Sequence, residues 1–185
     1  MDEYIDIVDK YGNPTGESEL KSVIHQKGYY HNTAHIWFYT YGGNILLSQR
    51  SAKKPICPLL WDVSVAGHID AGESIKTAAI RETQEEIGLT ITQESLQKIG
   101  VFKCLQSYDN GINDNEFHHT FISELKVQLS ELIPQEEEVE ALKLVSIDEF
   151  KSILNNIGAN NHFVPSNKAY YEVVLKNIIE AVAKK

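Results

Sequence analysis

The chain has 185 residues, of which 42% are hydrophobic and 23% charged, and a formal net charge of −9. This length and balance fit a globular domain with a real core rather than a disordered chain, and the acidic excess argues against non-specific binding to nucleic acid or a membrane surface. An anionic substrate stays open, because a bound cation inverts the local field.

In chain order, the acidic opening MDEYIDIVDKYG has no long apolar run and does not read as a signal peptide. EYIDIVD predicts a short strand, closed by the turn signal YGNPTG. AHIWFYTYGGNILLSQR predicts a hairpin around Gly42 and Gly43. WDVSVAG, alternating and β-branched, predicts one strand. ESIKTAAIRETQEEIG predicts a helix of about four turns, with Gly88 where a C-capping glycine belongs. Strands follow at 99–106, 117–124 and 140–145. SIDEFKSILNN starts a helix capped by Ser146 or Asp148, and SNKAYYEVVLKNIIEAVAKK is an amphipathic helix capped by Ser166 or Asn167. The QEEEVE run around Glu137 fits a solvated loop. Hairpins mixed with helices predict an α/β domain whose mixed sheet packs between helices. No stretch of the sequence approaches the ~18 apolar residues of a membrane span. Cys57 and Cys104 lack metal spacing and read as reduced, buried thiols, so a cytoplasmic setting is expected.

The segment GHIDAGESIKTAAIRETQEEIGL crowds Glu73, Glu82, Glu85 and Glu86 together, although like charges three and four positions apart on a helix repel by roughly 0.2–0.5 kcal/mol per pair. On a helical wheel, Ala79, Ile80, Thr83 and Ile87 fall on a core-facing arc, while Glu82, Glu85 and Glu86 share a separate arc of about 100°. Such hard oxygen ligands suit Mg²⁺ or Mn²⁺, whose charge would offset the repulsion. Spacing alone equally fits a solvated acidic face.

From Gly67 the pattern is a glycine, five positions, Glu73, seven positions, then RETQEEIGL. This resembles the Nudix box of hydrolases that cleave a nucleoside diphosphate linked to another group. The match fixes Gly67, Glu73, Arg81, Glu82, Glu85, Glu86, Gly88 and Leu89. Thr83 departs from it, where the family usually has an aliphatic residue; facing inward, it affects packing rather than chemistry. The resemblance implies a Nudix α/β/α sandwich, with residues 1–185 as one domain and the box at 67–89. It further implies that Glu82, Glu85 and Glu86 hold the metal, that Glu73 and Arg81 brace the box loop against the helix, and that water attacks phosphorus in a diphosphate. The general base varies within the family, and Glu85, Glu137 and Glu138 all stay open.

Outside the box, DIVDKYGNPTGE, VIHQKGYYHNTAHIWFY, QRSAKKPICPLLWDVSVAGH and NDNEFHHTF resemble type I isopentenyl diphosphate isomerase, which has the Nudix fold but moves a double bond. That resemblance implies a metal held by His25, His31, His68, Asp114 and Glu116, although the His25–His31 spacing is one shorter than in the isomerases. Three imidazoles with carboxylates suit a transition metal or Mg²⁺. His118 and His119 alternate on a strand, so only one can face a site. Arg50, Lys53 and Lys54 fall in a segment resembling the isomerases' diphosphate-contacting loop, where cations pair well with phosphate oxygens. Tyr29, Tyr30 and Trp37 could stack on a base, but aromatics at strand positions are more often core. Ala66 stands where the isomerases need a cysteine for proton transfer at carbon, and RETQEE is intact where they often degrade it. Both departures point to Mg²⁺- or Mn²⁺-dependent hydrolysis of a small diphosphate: a nucleoside diphosphate, a derivative of one, or a prenyl diphosphate. The alternatives are an isomerase-like enzyme and a catalytically idle nucleotide-binding sensor, against which the intact glutamates count. The expected partner is the small-molecule substrate, with no nucleic acid and no membrane; a homodimer stays open.

Overall fold

A computed structural model describes residues 3–157 and 162–184. β1 (Tyr4–Val8) and β2 (Pro14–Leu20) form a hairpin, and α1 (Lys21–Lys27) follows at once. β3 (Tyr30–Tyr39) and β4 (Asn44–Arg50) make the second hairpin. The short strands β5 (Trp61–Asp62) and β6 (Val65–His68) lead to α2 (Ile75–Ile87). β7 (Gln97–Ser107) and β8 (Asn113–Glu124) form a third hairpin, β9 (Val139–Ser146) runs directly into α3 (Ile147–Asn155), and α4 (Lys168–Val182) comes last.

β3 is the hub of a mixed sheet. It runs parallel to β8 from Tyr30↔Asn115 to Tyr39↔Glu124 and antiparallel to β6, while β4 carries β5 and β9. Alternation along β3 splits the core in two. Ile36 and Phe38 pack with Val65, Ala79, Ile87 and Phe121 on the α2 side. Trp37 and Tyr39 pack with Phe150, Phe163, Tyr171, Val174 and Ile178 on the side of α3 and α4. Fully burying each large apolar side chain stabilises by roughly 1.5–3 kcal/mol. The result is the α/β/α sandwich expected from the sequence.

Two details differ from the sequence expectation, and the open choice of caps is decided. Residues 14–27, which the turn signal left without an element, form β2 and α1. α1 is only seven residues long and its N-cap, Leu20, makes no side-chain cap, so periodicity and start signals were both weak. Its stop signal was present: Gly28 adopts the left-handed conformation at φ 65°. WDVSVAG is not one strand, because the chain crosses there from β4 to β3. Ser64 bridges the crossing, accepting from Phe38 N at 2.9 Å and donating to Leu46 O at 2.6 Å. Of the alternative caps, Ser146 caps α3 in a capping box with Glu149, and Asn167 caps α4.

Candidate active site

α2 sets the first half of the site. Ser74 caps it by accepting from Thr77 N at 3.2 Å, and Gly88 ends it in the left-handed conformation. Ala78, Ala79, Thr83 and Ile87 are buried against the sheet, which turns Glu82 and Glu85 the other way. Gly67 is needed for close approach: a Cβ there would overlap the Glu82 carboxylate. Arg81 gathers the acidic groups. Its Nε and Nη2 donate to Glu73 at 3.2 and 2.9 Å, and Nη1 donates to Glu82 and Glu85 at 2.8 and 3.0 Å. Nη2 also donates to His68 O at 3.0 Å, tying the box loop to the helix. Burial opposes the Arg81 charge, yet its bonds to Glu73 and Glu82 outweigh burial and hold its pKa above the ordinary value.

The three box carboxylates are not equivalent. Glu85 is exposed, whereas Glu86 is 8% exposed. Burial, and then the nearby Glu82 charge, pushes the Glu86 carboxyl up to about 8. Burial also raises Glu82, against the pull of Arg81. A carboxyl held this high lacks a sufficient counter-charge, and a hard divalent cation would supply one. The donor set therefore fits Mg²⁺ or Mn²⁺, with Arg81 holding Glu82 and Glu85 in the meantime.

The second half is assembled from four elements. His25 of α1, His31 of β3, His68 of β6 and Glu116 of β8 each bring one ligand atom within 4.8 Å of the others. His25 Nε2 and His68 Nε2 are 3.3 Å apart, and His31 Nε2 is 3.4 Å from Glu116 Oε1. These separations approach the ~3.4 Å edge of a tetrahedron with bonds near 2.1 Å. His31, the residue whose spacing departs from the isomerases, is fully buried in the group, and its Nε2 has no hydrogen bond among the described residues. Asp114 Oδ1 is orphaned likewise, 3.5 Å from His25. Orphaned buried ligand atoms are what a site built for a cation leaves behind. Burial, reinforced by neighbouring positive groups, lowers His25 and His68 and keeps their lone pairs available. Burial also pushes Asp114 up to about 7, with Glu116 adding to it. Among the described residues, the three box carboxylates do not converge into such a group.

Both halves line one cleft of about 730 Å³. Arg50, Lys53 and Lys54 line it too, each already engaged by carboxylates: Arg50 with Asp62 at 3.3 Å, Lys53 with Glu137 at 2.5 Å, and Lys54 with Glu138. QEEEVE is thus partly the far wall of the cleft rather than only a solvated loop. Arg50 Nε also donates to Ile56 O at 3.0 Å, bracing a loop in which Cys57 and Leu59 have left-handed φ of 47° and 61°. Neither cysteine is fully buried, and both border the cleft, because Cys104 points inward from β7 and Cys57 sits on that braced loop. Trp37 is fully buried and unavailable for stacking on a base. His118 faces the site, 2.7 Å from Glu116, while His119 turns away to Asn32. Lys21 and His35, absent from the sequence expectation, also line the cleft; His35 shares the inward face of β3 with His31.

Comparison with known proteins fits this arrangement. A model of the NUDIX domain matches residues 29–166. The chain belongs to the NUDIX family. It is 35% identical over 159 residues to Nudix hydrolase 3 of Arabidopsis thaliana, an alignment covering 83% of this chain but 20% of that longer protein. It is also 35% identical over 156 residues to isopentenyl-diphosphate Delta-isomerase 2 of Photorhabdus laumondii, covering 84% of each. A crystal structure of a Deinococcus radiodurans protein shares the fold at a TM-score of 0.69 and 16% identity, covering 93% of this chain and 98% of that one. This NUDIX protein therefore has relatives named for hydrolysis and for isomerisation. Among the described residues, no helix is long and apolar enough to cross a membrane.

Proposed function

We propose that residues 1–185 act as one unit, a divalent-cation-dependent hydrolase that cleaves the diphosphate linkage of a small metabolite. A nucleoside diphosphate or a derivative of one is the first substrate class; a prenyl diphosphate is the second. The observation that carries this is the box constellation: Glu82, Glu85 and Glu86 on one helix, with Arg81 bonded to Glu73, Glu82 and Glu85, lining the same cleft as Arg50, Lys53 and Lys54. Glu82, Glu85 and Glu86 would hold Mg²⁺ or Mn²⁺, which neutralises phosphoryl oxygens and lowers the pKa of bound water. Arg50, Lys53 and Lys54 take up diphosphate oxygens, exchanging their present carboxylate partners for the substrate. That exchange would free Glu137 and Glu138, which with Glu85 are the candidates for taking a proton from the attacking water. His25, His68 and Glu116 offer a further cation site on the same cleft. A panel of nucleoside diphosphates, their derivatives and prenyl diphosphates, assayed with Mg²⁺ for released phosphate-containing products, tests the proposal. Turnover of none of them, or turnover undiminished in chelator, refutes it.

One observation favours an isomerase-like second reading. Cys104 borders the cleft and hydrogen-bonds His118, so a thiol is present although Ala66 removes the one expected beside Gly67. Incubation with isopentenyl diphosphate in heavy water separates the two. Hydrolysis predicts no deuterium in unhydrolysed C5 diphosphate, whereas isomerisation predicts its incorporation and the loss of that incorporation in Cys104→Ser.

A further inference from the structure

We propose that Lys54 is a tethered stand-in for the box metal. In the metal-free protein its ammonium sits among the acidic groups where α2 meets the 135–138 segment. A divalent ion entering there expels it, so the cation must bind before Lys54 is free to meet a diphosphate. The inference rests on the metal-binding half of the hydrolase reading and not on turnover.

The backbone brings three elements to one point. Gln135 N donates to Glu86 O and Ile133 N to Ile87 O, each at 2.9 Å, which seats the segment before β9 on the end of α2. Gln135 in turn accepts from Glu138 N, through its backbone oxygen at 3.0 Å and its Oε1 at 2.9 Å. Ser51 joins the lysine loop to the same segment. Its N donates to Glu138 O at 3.0 Å, its Oγ donates to Glu136 O at 3.1 Å, and its O accepts from Lys54 N at 3.1 Å. Lys54 is thereby held beside Glu138, with which it pairs, and it lines the cleft with Glu82, Glu85 and Glu86.

The charges at that point are shared unevenly. Among the described residues, Arg81 bonds Glu73, Glu82 and Glu85 but not Glu86. The cation that acts on Glu86 is Lys54, already paired with Glu138. Lys54 keeps only 26% of its side chain exposed, against 62% for Lys53, whose pair with Glu137 lies open to solvent. Burial, and then Arg50, lower the Lys54 pKa, while Glu86 and Glu82 act in the opposite direction. A lysine ammonium is a compact charge with three donors on a flexible stem. It can fill an acidic pocket and leave it, whereas the Arg81 guanidinium is fixed by bonds to three carboxylates and to His68 O. An incoming divalent ion brings twice the charge to the same oxygens and repels the ammonium at close range.

The test uses the full chain labelled with ¹³C-lysine. The Lys54 Hε–Cε signal, assigned by its loss in K54M, should move on addition of Mg²⁺ to the position of a free lysine. The movement should persist in H68A, which disables only the histidine end. Inorganic pyrophosphate without Mg²⁺ should leave the signal in place. Calorimetry at about pH 8.5 should find Mg²⁺ bound roughly five- to tenfold more tightly by K54M, the scale of removing one unit charge beside a divalent ion in a partly solvated site. A proton on Glu86 gains from the same deletion, but Mg²⁺ carries twice its charge, so the sign holds. K53M, which removes the exposed twin, should change that affinity by less than about twofold. Should K54M fail to fold, K54R supplies the assignment and the Mg²⁺ titration carries the test. Three results each overturn the inference while leaving the hydrolase proposal intact: K54M binding Mg²⁺ no more tightly than wild type, a Lys54 signal that Mg²⁺ leaves in place or moves only when His68 is present, and a signal that pyrophosphate alone moves as far as Mg²⁺ does. A wild type that binds no Mg²⁺ overturns both.

Discussion

In the box end of the site, Glu73, Arg81, Glu82, Glu85 and Glu86 come from one helix and the loop before it; in the adjoining histidine end, His25, His31, His68 and Glu116 come from α1, β3, β6 and β8. The first group is oxygen-rich, partly exposed and held by an internal guanidinium. The second is imidazole-rich and largely buried, with a single carboxylate at its centre. Local spacing is enough to build the first, whereas the second exists only once the sheet has formed. The donor chemistry differs accordingly, with hard oxygens suited to Mg²⁺ and Mn²⁺ and imidazoles suited to borderline transition metals.

The sharpest way to break this comparison is to remove a box carboxylate. Glu85→Gln should lower turnover by about 10²–10³, the scale of deleting a key electrostatic group, and metal-stripped protein in chelator should be inactive. Near-wild-type turnover in either case would mean that the box end is only a solvated acidic face. The histidine end should respond more mildly. His68→Ala should weaken Mn²⁺ binding, followed by electron paramagnetic resonance, by roughly 10–100-fold, comparable to losses at supporting positions of metal sites. If the ends act separately, Glu85→Gln leaves that Mn²⁺ signal in place.

How much of this was legible follows from the same contrast. RETQEEIGL lies on one helix, so its wheel already separates Thr83 and Ile87 from the glutamates; burial in the structure divides Thr83 and Ile87 from Glu82 and Glu85 the same way, but places Glu86 with the buried residues. The burial of Glu86 was not legible, because it depends on what packs above α2 rather than on α2 itself. His25 and His68 are far apart in sequence, and only resemblance to the isomerases linked them. α1, which carries His25, has no legible signal because seven residues hold too little periodicity to read. His35 is hidden for a related reason: in a strand with residues buried on both faces, nothing in AHIWFY distinguishes a cleft-facing histidine from a core one.

Acidity should distinguish the two ends next. Glu86, ordinarily near 4.5 and pushed up to about 8 by burial, is largely protonated at pH 7 in the metal-free protein. Mg²⁺ must displace that proton, so its apparent affinity should rise with pH by up to about tenfold per unit and level off above pH 8. Calorimetry in buffers of different ionisation enthalpy should detect release of close to one proton per Mg²⁺ bound at pH 7. The linkage to folding has the opposite sense. A raised carboxyl pKa favours the protonated folded form, so this contribution to stability is fully present below about pH 4.5 and is lost as pH climbs towards 8. Saturating Mg²⁺ should flatten that loss, as followed by Tm. An Mg²⁺ affinity independent of pH between 6 and 8 would remove Glu86 from the metal site.

The smallest expected effect lies within the box itself, on the opposite side of the same helix. Thr83 is fully buried, and its hydroxyl donates to Ala79 O at 2.7 Å, one turn back. Such a back-bond satisfies the hydroxyl without adding a new tertiary contact, and it slightly loosens the helix. Thr83→Val keeps the branched shape and removes the hydroxyl. The Ala79 carbonyl retains its helical acceptor role, so no buried group is left unpaired. Stability should change by about 1 kcal/mol or less, a Tm shift within roughly 2–4 °C for a chain of this size. Metal dependence and turnover should stay at wild-type levels, because Glu82 and Glu85 keep their places around Arg81. Loss of turnover in a folded Thr83→Val protein would show that the two faces of α2 are coupled, and the box end could then no longer be treated as a unit set by local spacing alone.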